Sequence, residues 1–240
     1  MIEIIQLKKS FGKLNVLKEI NLSLHDGESY ALIGPNGCGK TTLIKSILGI
    51  VIANNGDIRI NQKSILNQFD YRKSIGYMPQ IGHYPSNMTI GNIIEMIRVI
   101  RDTDEKIDEE LYFAFNLHHS LDKKMSTLSG GTTQKVSAFL AFMFNPNLLI
   151  LDEPTAGLDP ISSEILKEKI IREKNNGKTF LITSHILSEL DEMISQLIYM
   201  QDGAVLFHLP VDEIREQTQE NKISKAIATM LKNKFYVTNH

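Results

Sequence analysis

One stretch constrains this chain more than any other: Gly34-Pro35-Asn36-Gly37-Cys38-Gly39-Lys40-Thr41-Thr42. It fits G-x-x-x-x-G-K-[ST], the phosphate-binding loop. Ser29 to Ile33 before it is short and apolar, and reads as a buried strand. Leu43 to Leu48 after it reads as the start of a helix. Strand, loop and helix are the context that motif requires. Glycines let the backbone approach a ligand and turn its N–H groups inward. The helix N-terminus adds partial positive charge. Lys40 supplies a full charge at the β- and γ-phosphates, and the Thr41 hydroxyl suits Mg²⁺. The stretch therefore implies a nucleoside triphosphate site.

The rest of the chain narrows the class of protein. With 240 residues there is enough chain for one large domain, or for one with an insertion. A net charge of −2 gives no field that would gather nucleic acid or anionic lipid. A single cysteine excludes an internal disulfide and fits a reducing compartment. Met1 to Lys9 alternates like a strand and lacks the pattern of a signal peptide. No run approaches the ~18 apolar residues of a membrane span, so any spans are expected on another subunit.

Further candidate sites follow in chain order. The loop Ser10-Phe11-Gly12-Lys13 carries an aromatic that either stacks on a purine or folds onto the core. Asp57 to Asn61 alternates as a strand, and Ser74 to Met78 reads as another that breaks at Pro79. Gln80, the first polar residue past it, either reaches an ion or water near a γ-phosphate or is simply solvated. Ile90, Ile93, Ile94 and Ile97 have helical spacing, with Thr89 as N-cap. The run Asp102-Thr103-Asp104-Glu105-Lys106-Ile107-Asp108-Glu109-Glu110 is acidic, a solvated loop and first helical turn, and Leu111 to Leu117 continues helical.

Leu128-Ser129-Gly130-Gly131-Thr132 opens a helix from Val136 to Phe144 that is apolar nearly all round. Ser129 with the Gly130 and Gly131 amides builds a second anion site, or Ser129 is an N-cap only. Leu148 to Leu151 is a continuous apolar run ending in Asp152 and Glu153, which reads as a buried parallel strand. Ligands of open α/β sheets sit at that edge. Asp152 is placed to hold Mg²⁺ and Glu153 to polarise an attacking water, unless the two acids merely begin a solvated loop. Ser162 to Arg172 is an amphipathic helix. Thr179 to His185 repeats the pattern of buried strand and polar end, so His185 could touch a γ-phosphate. Leu187, Leu190, Met193 and Ile194 predict one more helix, and residues beyond Pro210 a helical, fraying C-terminus.

Taken together, these residues resemble the ATP-binding cassette (ABC) ATPases over residues 1–205. Leu128-Ser129-Gly130-Gly131 is similar to the family's signature motif. Gly34 to Thr41 matches Walker A and Leu149 to Glu153 matches Walker B. Gln80, Gly157-Leu158-Asp159 and His185 match the Q-loop, D-loop and switch histidine, and Phe11 the adenine-stacking aromatic. The resemblance implies an α/β P-loop NTPase core (1–84 and 146–205) with an N-terminal antiparallel β-subdomain. It also implies an inserted helical subdomain (85–145), with 206–240 as a C-terminal extension.

It implies ATP and Mg²⁺ as cofactors, with Lys40, Glu153 and His185 catalytic. Phe11, Gly34 to Thr42, Gln80, Ser129, Gly130, Gly131 and Asp159 would meet nucleotide, and Thr41, Gln80 and Asp152 the metal. Two copies would pair head to tail, each ATP lying between one copy's Walker A and the other's signature. Asp159 would couple the halves, and Gln80 would report to transmembrane permease subunits at the cytoplasmic face of the inner membrane. No nucleic-acid partner is implied.

Two departures stand out: Thr132 where the signature usually has Gln, and Cys38 where Ala or Ser is usual. The Cys38 thiol is either oxidisable or a size-neutral substitution. Residues 76–85, 128–146 and 158–166 are similar to the ATPase subunits of transporters for nitrous oxide reductase maturation. That subgroup implies a periplasmic copper-assembly protein as a further partner. The competing readings are a soluble ABC ATPase acting on ribosomes or DNA and a non-ABC P-loop kinase. A single cassette without heptads or a basic surface disfavours the former, and the Ser-Gly-Gly signature the latter.

Overall fold

The computed structural model describes residues 1–101 and 106–237. Two compact units divide the chain, Met1–Phe69 with Leu181–His240, and Asp70–Phe180. The first begins with β1 (Ile2–Phe11) and β2 (Leu14–Leu24), an antiparallel hairpin. Its buried residues are Ile2, Ile4 and Leu7 on β1 and Leu17, Ile20, Leu22 and Leu24 on β2. Strict alternation fails at Leu7 and again at Leu17. Gln6 (φ 47°) and Glu19 (φ 61°) sit in left-handed conformation at those points. Each inserts a residue and shifts the phase, so the apolar side chains return to one face.

Next come β3 (Ser29–Ile33), buried along its whole length, and α1 (Lys40–Ile47), which buries Leu43, Ile44 and Ile47. β4 (Asn55–Ile60) pairs with β1 and with the short β5 (Lys63–Ser64), giving the order β2-β1-β4-β5. This is the antiparallel N-terminal sheet that the resemblance implies.

The second unit holds β6 (Ile75–Met78), α2 (Ile90–Arg101), α3 (Glu110–Ala114), α4 (Gly130–Phe142), β7 (Leu148–Asp152) and α5 (Pro160–Asn175). β6 and β7 pair in parallel, with Met78 opposite Leu151. Thr89 caps α2 as the spacing predicts: its Oγ1 accepts the Asn92 N–H at 3.2 Å, and Asn92 Oδ1 accepts the Thr89 N–H at 3.2 Å.

Two helix predictions need correction here. The helix expected through Leu117 ends at Ala114, because Asn116 turns left-handed (φ 54°). The buried helix expected from Val136 to Phe144 begins earlier, at Gly130, and ends at Phe142. Of the acidic run, Asp102 to Glu105 lie outside the described residues.

The chain returns to the first unit within β8 (Thr179–Thr183), buried throughout. β9 (Gln196–Gln201) runs parallel to β3, Leu32 opposite Ile198, and β10 (Ala204–Pro210) lies antiparallel to β9. α6 (Val211–Thr218) and α7 (Ile223–Val237) follow. The helix expected over Leu187 to Ile194 is instead one 3₁₀ turn, Leu187–Glu189. The Met193 carbonyl accepts the Ser29 Oγ at 2.5 Å and the Ser29 carbonyl accepts the Ser195 N–H at 2.8 Å. These bonds draw the end of the segment into line with β3.

Within the second unit, one charged cluster ties the chain entering α3 to α5. Lys169, 3% exposed, lies 2.5 Å from Asp108, 2.8 Å from Glu110 and 3.0 Å from Glu173. Lys178 adds a second cation 2.7 Å from Glu173. Burial pushes the Asp108 and Glu173 carboxyls up. Hydrogen bonds from Lys169 to Asp108 and from Lys178 to Glu173 outweigh it, and both carboxyls end below their ordinary range. Burial pulls the Lys169 ammonium down, but its three carboxylate partners raise it overall.

The carboxylate contribution is therefore present above the unfolded pKa of about 4 and is lost as pH falls through the lowered folded values. The Lys169 contribution is present below its unfolded pKa and is lost as pH rises through its raised value. Lys169→Met should cost about 3 kcal/mol near neutral pH, measured by urea denaturation. The gap between variant and wild type should shrink as pH falls through the lowered carboxylate values, where the carboxylates protonate.

Candidate functional site

The phosphate loop begins where β3 ends. Gly34 has φ 150°, and a Cβ placed there would lie 2.0 Å from the Met200 carbonyl oxygen. Any larger residue would force β9 away from the loop. Gly39, left-handed at φ 109°, N-caps α1. The Cys38 N–H donates to the Pro35 carbonyl at 3.2 Å, and the Cys38 carbonyl accepts from the Gly203 N–H at 3.1 Å. The loop thus hangs on the tight turn between β9 and β10. Lys40 reaches back over it, its Nζ donating to the carbonyls of Gly34 at 2.7 Å and Pro35 at 3.1 Å.

Pro35, Asn36, Gly37 and Thr41 are exposed, and Thr42 is half-buried at the first turn of α1. The Cys38 side chain is 4% exposed. It behaves as a small core residue, as the size-neutral reading expects.

Phe11, the last residue of β1, is 51% exposed. Of its two readings the core one fails: the ring faces outward, with Lys9 Nζ 4.9 Å from its centroid. A flat exposed face of this kind can accept a purine. His185, two residues past β8, is exposed, while Ser184 before it is buried and accepts the Ile186 N–H at 3.0 Å. The phosphate loop, Phe11 and His185 thus all lie in the first unit.

The second unit carries the remaining candidates. Because β6 and β7 are parallel with Met78 opposite Leu151, Gln80 and the pair Asp152-Glu153 leave the sheet at the same edge. Gln80 is exposed, while Asp152 and Glu153 are 5% and 8% exposed. The two acids therefore do not begin a solvated loop. Burial, and then the charge of Asp152, push the neighbouring Tyr77 phenol up to about 12. Glu153 is left-handed (φ 54°), a sparsely populated conformation for a residue with a side chain. Its carbonyl accepts from Ala156 N–H at 3.1 Å and from Gln134 Nε2 at 3.4 Å.

Ser129 caps α4, its Oγ accepting the Thr132 N–H at 3.2 Å and lying 2.9 Å from Thr132 Oγ1. Gly130 faces open space. A Cβ on Gly131 would come within 2.8 Å of the Gly157 carbonyl oxygen. The signature and the D-loop therefore touch through backbone, which only glycine permits. Asp159 caps α5, accepting from Ser162 N–H at 2.9 Å and Ser162 Oγ at 2.8 Å. Lys135 Nζ, 2.7 Å from Asp159, ties the D-loop to α4. The Lys135 hydrogen bond, with those of Ser162, holds the Asp159 carboxyl well below the usual range.

Gln134 and Lys135 are the residues that the sequence did not single out. Their one signal was polarity beside a helix otherwise apolar, and Gln134 is 4% exposed.

Taken separately, the first unit offers a helix start behind a glycine loop with Lys40 across it, and the second a Ser129-capped helix start and a buried pair of carboxylates at a strand end. A helix start of this kind suits a phosphate, and a strand-end carboxylate can activate a water.

Comparison with known proteins agrees. The family model described as "ABC transporter" matches residues 17–156. The lantibiotic transport ATP-binding protein SrtF of Streptococcus pyogenes is 32% identical over 225 residues, covering 93% of this chain and 97% of that protein. A solved structure of an ATP-binding subunit of an ABC transporter superposes with a TM-score of 0.86 at 28% identity, covering 95% of this chain and 98% of that one. A dimeric ATP-binding cassette in a post-hydrolysis state bound to ADP and Pi shares the fold, with a TM-score of 0.78 at 23% identity, covering 88% and 98%. With its phosphate loop, signature helix and Walker B strand in the order that family uses, this chain belongs to the ABC transporter family and is an ATPase of the P-loop α/β fold.

Proposed function

We propose that this chain is the energy-supplying subunit of a transporter and acts as a head-to-tail pair with a second copy. The carrying observation is that one chain bears two glycine-bearing helix starts, of a kind suited to anions, the loop before α1 and the Ser129-capped start of α4. In the proposed pair, ATP lies between one copy's Gly34 to Thr42 and the other's Ser129, Gly130 and Gly131. Neither half encloses the nucleotide alone, and closure excludes water. The dimeric cassette bound to ADP and Pi supports this arrangement by its fold.

The residues take these roles in the proposal. Phe11 stacks on the adenine. Lys40 and the loop amides hold the β- and γ-phosphates. Glu153, buried and fixed by its backbone contacts, orients and deprotonates the attacking water. His185 holds the γ-phosphate and water geometry. Asp159, fixed by Lys135, couples the two copies. Thr41 offers an exposed hydroxyl, Asp152 a carboxylate and Gln80 an amide oxygen, hard oxygen donors that suit Mg²⁺. When bound, that ion neutralises charge on the phosphate oxygens.

Among the described residues no helix is long and apolar enough to cross a membrane. Relatives such as SrtF are named ATP-binding proteins of transport systems. We therefore assign the spans to separate permease subunits, docked on the helical insertion (85–145) at the cytoplasmic face. The narrower reading, service to copper-site assembly of nitrous oxide reductase with a periplasmic copper-assembly protein, rests on the resemblance of residues 76–85, 128–146 and 158–166. A ribosome- or DNA-directed ATPase is not favoured, since the named relatives are transport proteins.

Glu153→Gln should lower turnover about a thousandfold while ATP still binds, and should trap an ATP-bound dimer visible by size-exclusion chromatography. Unchanged hydrolysis would remove the role from Glu153. Lys40→Ala should weaken ATP binding about a hundredfold by equilibrium titration. Affinity purification from solubilised membranes should bring down permease subunits. Their identity separates copper-site assembly from other cargo, and recovery of ribosomes or DNA alone would overturn the transport reading.

A further inference from the structure

The C-terminal extension is tied to the segment after His185 by polar contacts that the proposed chemistry does not use, the Val211 N–H to the Ser195 carbonyl at 2.9 Å and a set centred on Asp191. Asp191 lies six residues after His185, beyond the 3₁₀ turn Leu187–Glu189. Its Oδ1 accepts two hydrogen bonds from the extension. One is from Arg215 Nη2 on α6 at 3.0 Å, and the other from the Ile223 N–H, the first residue of α7, at 3.1 Å. The carboxylate thus caps α7 from outside that helix and pairs with a cation from the preceding one. Arg215 also lies 3.5 Å from Asp212, one turn away on α6.

Apolar packing reinforces the join. Leu190 and Met193 of the segment, and Ile214, Ile223, Ala226 and Ile227 of the two helices, are all buried. α7 packs against the 3₁₀ turn itself.

The segment needs such support. Between the end of β8 at Thr183 and the start of β9 at Gln196 its only regular structure is one 3₁₀ turn. His185 and Ile186 at its leading end are exposed. Ser184 fixes Ile186 through a local turn, and Ser29 fixes Met193 at the far end. Between those points backbone turns join Glu189 to Ile186, Leu190 to Leu187, and Met193 and Ile194 to Leu190, and the extension packs on those turns.

We propose that α6 and α7 hold the segment bearing His185 in place for ATP turnover, with Asp191 as the positioning residue. This rests on the role given to His185 above. Loosening the join leaves the nucleotide-binding loop intact and moves His185. It therefore lowers the rate of the chemical step and spares binding, because small displacements of a positioned group cost rate steeply.

The test uses the full chain. Glu153-dependent ATP hydrolysis is established first, and kcat and KM for ATP are then measured for Asp191→Ala, Asp191→Asn and Arg215→Met. Asp191→Ala should reduce kcat about tenfold with KM within about twofold. Asp191→Asn, which keeps an oxygen acceptor for both donors, should restore most of the loss. Arg215→Met should show the same split more weakly, and it decides the matter should Asp191→Ala fail to fold. A folded Asp191→Ala chain with unchanged kcat, or one whose KM alone rises, overturns the proposal. Turnover that survives Glu153→Gln overturns the underlying site reading instead, so the two failures are told apart.

Discussion

The contact on which the phosphate loop depends is a close one between two backbones. Gly34 turns the chain out of β3 so near to β9 that a Cβ there would lie 2.0 Å from the Met200 carbonyl. With that turn made, Gly203 can reach the Cys38 carbonyl, α1 can start at Lys40, and the lysine can lie across the loop. A methyl group at Gly34 would push the strand and the loop apart, and with them the N–H groups that a phosphate needs at fixed positions.

A second device recurs through the molecule: helix starts held by groups that also join neighbouring elements. Ser129 opens α4 beside a backbone approach to Gly157, and Asp159 opens α5 while bonded to Lys135 on α4. Asp191 opens α7 from a neighbouring segment. In each case a dipole end that must be satisfied anyway is satisfied where another part of the chain also arrives, so the cap also fixes geometry. The cluster around Lys169 does comparable work for the chain entering α3, at the desolvation cost that buried charge carries.

Much of this was legible beforehand, and the misreadings share one cause. The Thr89 cap, the buried strand ending at Asp152 and the loop before α1 were readable because local spacing and composition specify them. The helix expected over Leu187 to Ile194 had the right apolar spacing, yet only Leu187–Glu189 turns helically and Ser29 draws Met193 toward β3. Leu111 to Leu117 failed in the same way, by a left-handed Asn116 that the apolar pattern does not reveal. Phe11 had two balanced readings, and only its exposure chose between them. Gln134 and Lys135 gained meaning only from where Glu153 and Asp159 arrive.

By itself the sequence determined the chemistry: a loop able to cradle phosphate, a signature-like helix start, two acids after an apolar strand, and through them the family. Those features are local, since each depends on residue types within a few positions of one another. Tertiary structure alone decided which polar residues act together. It buried Glu153 and bent its backbone, tied Asp159 to Lys135, and set Asp191 beneath the C-terminal helices. The physical reason is that a hydrogen bond or ion pair between residues far apart in the chain leaves no periodicity in the sequence, and becomes visible only when folding brings its donor and acceptor within about 3 Å.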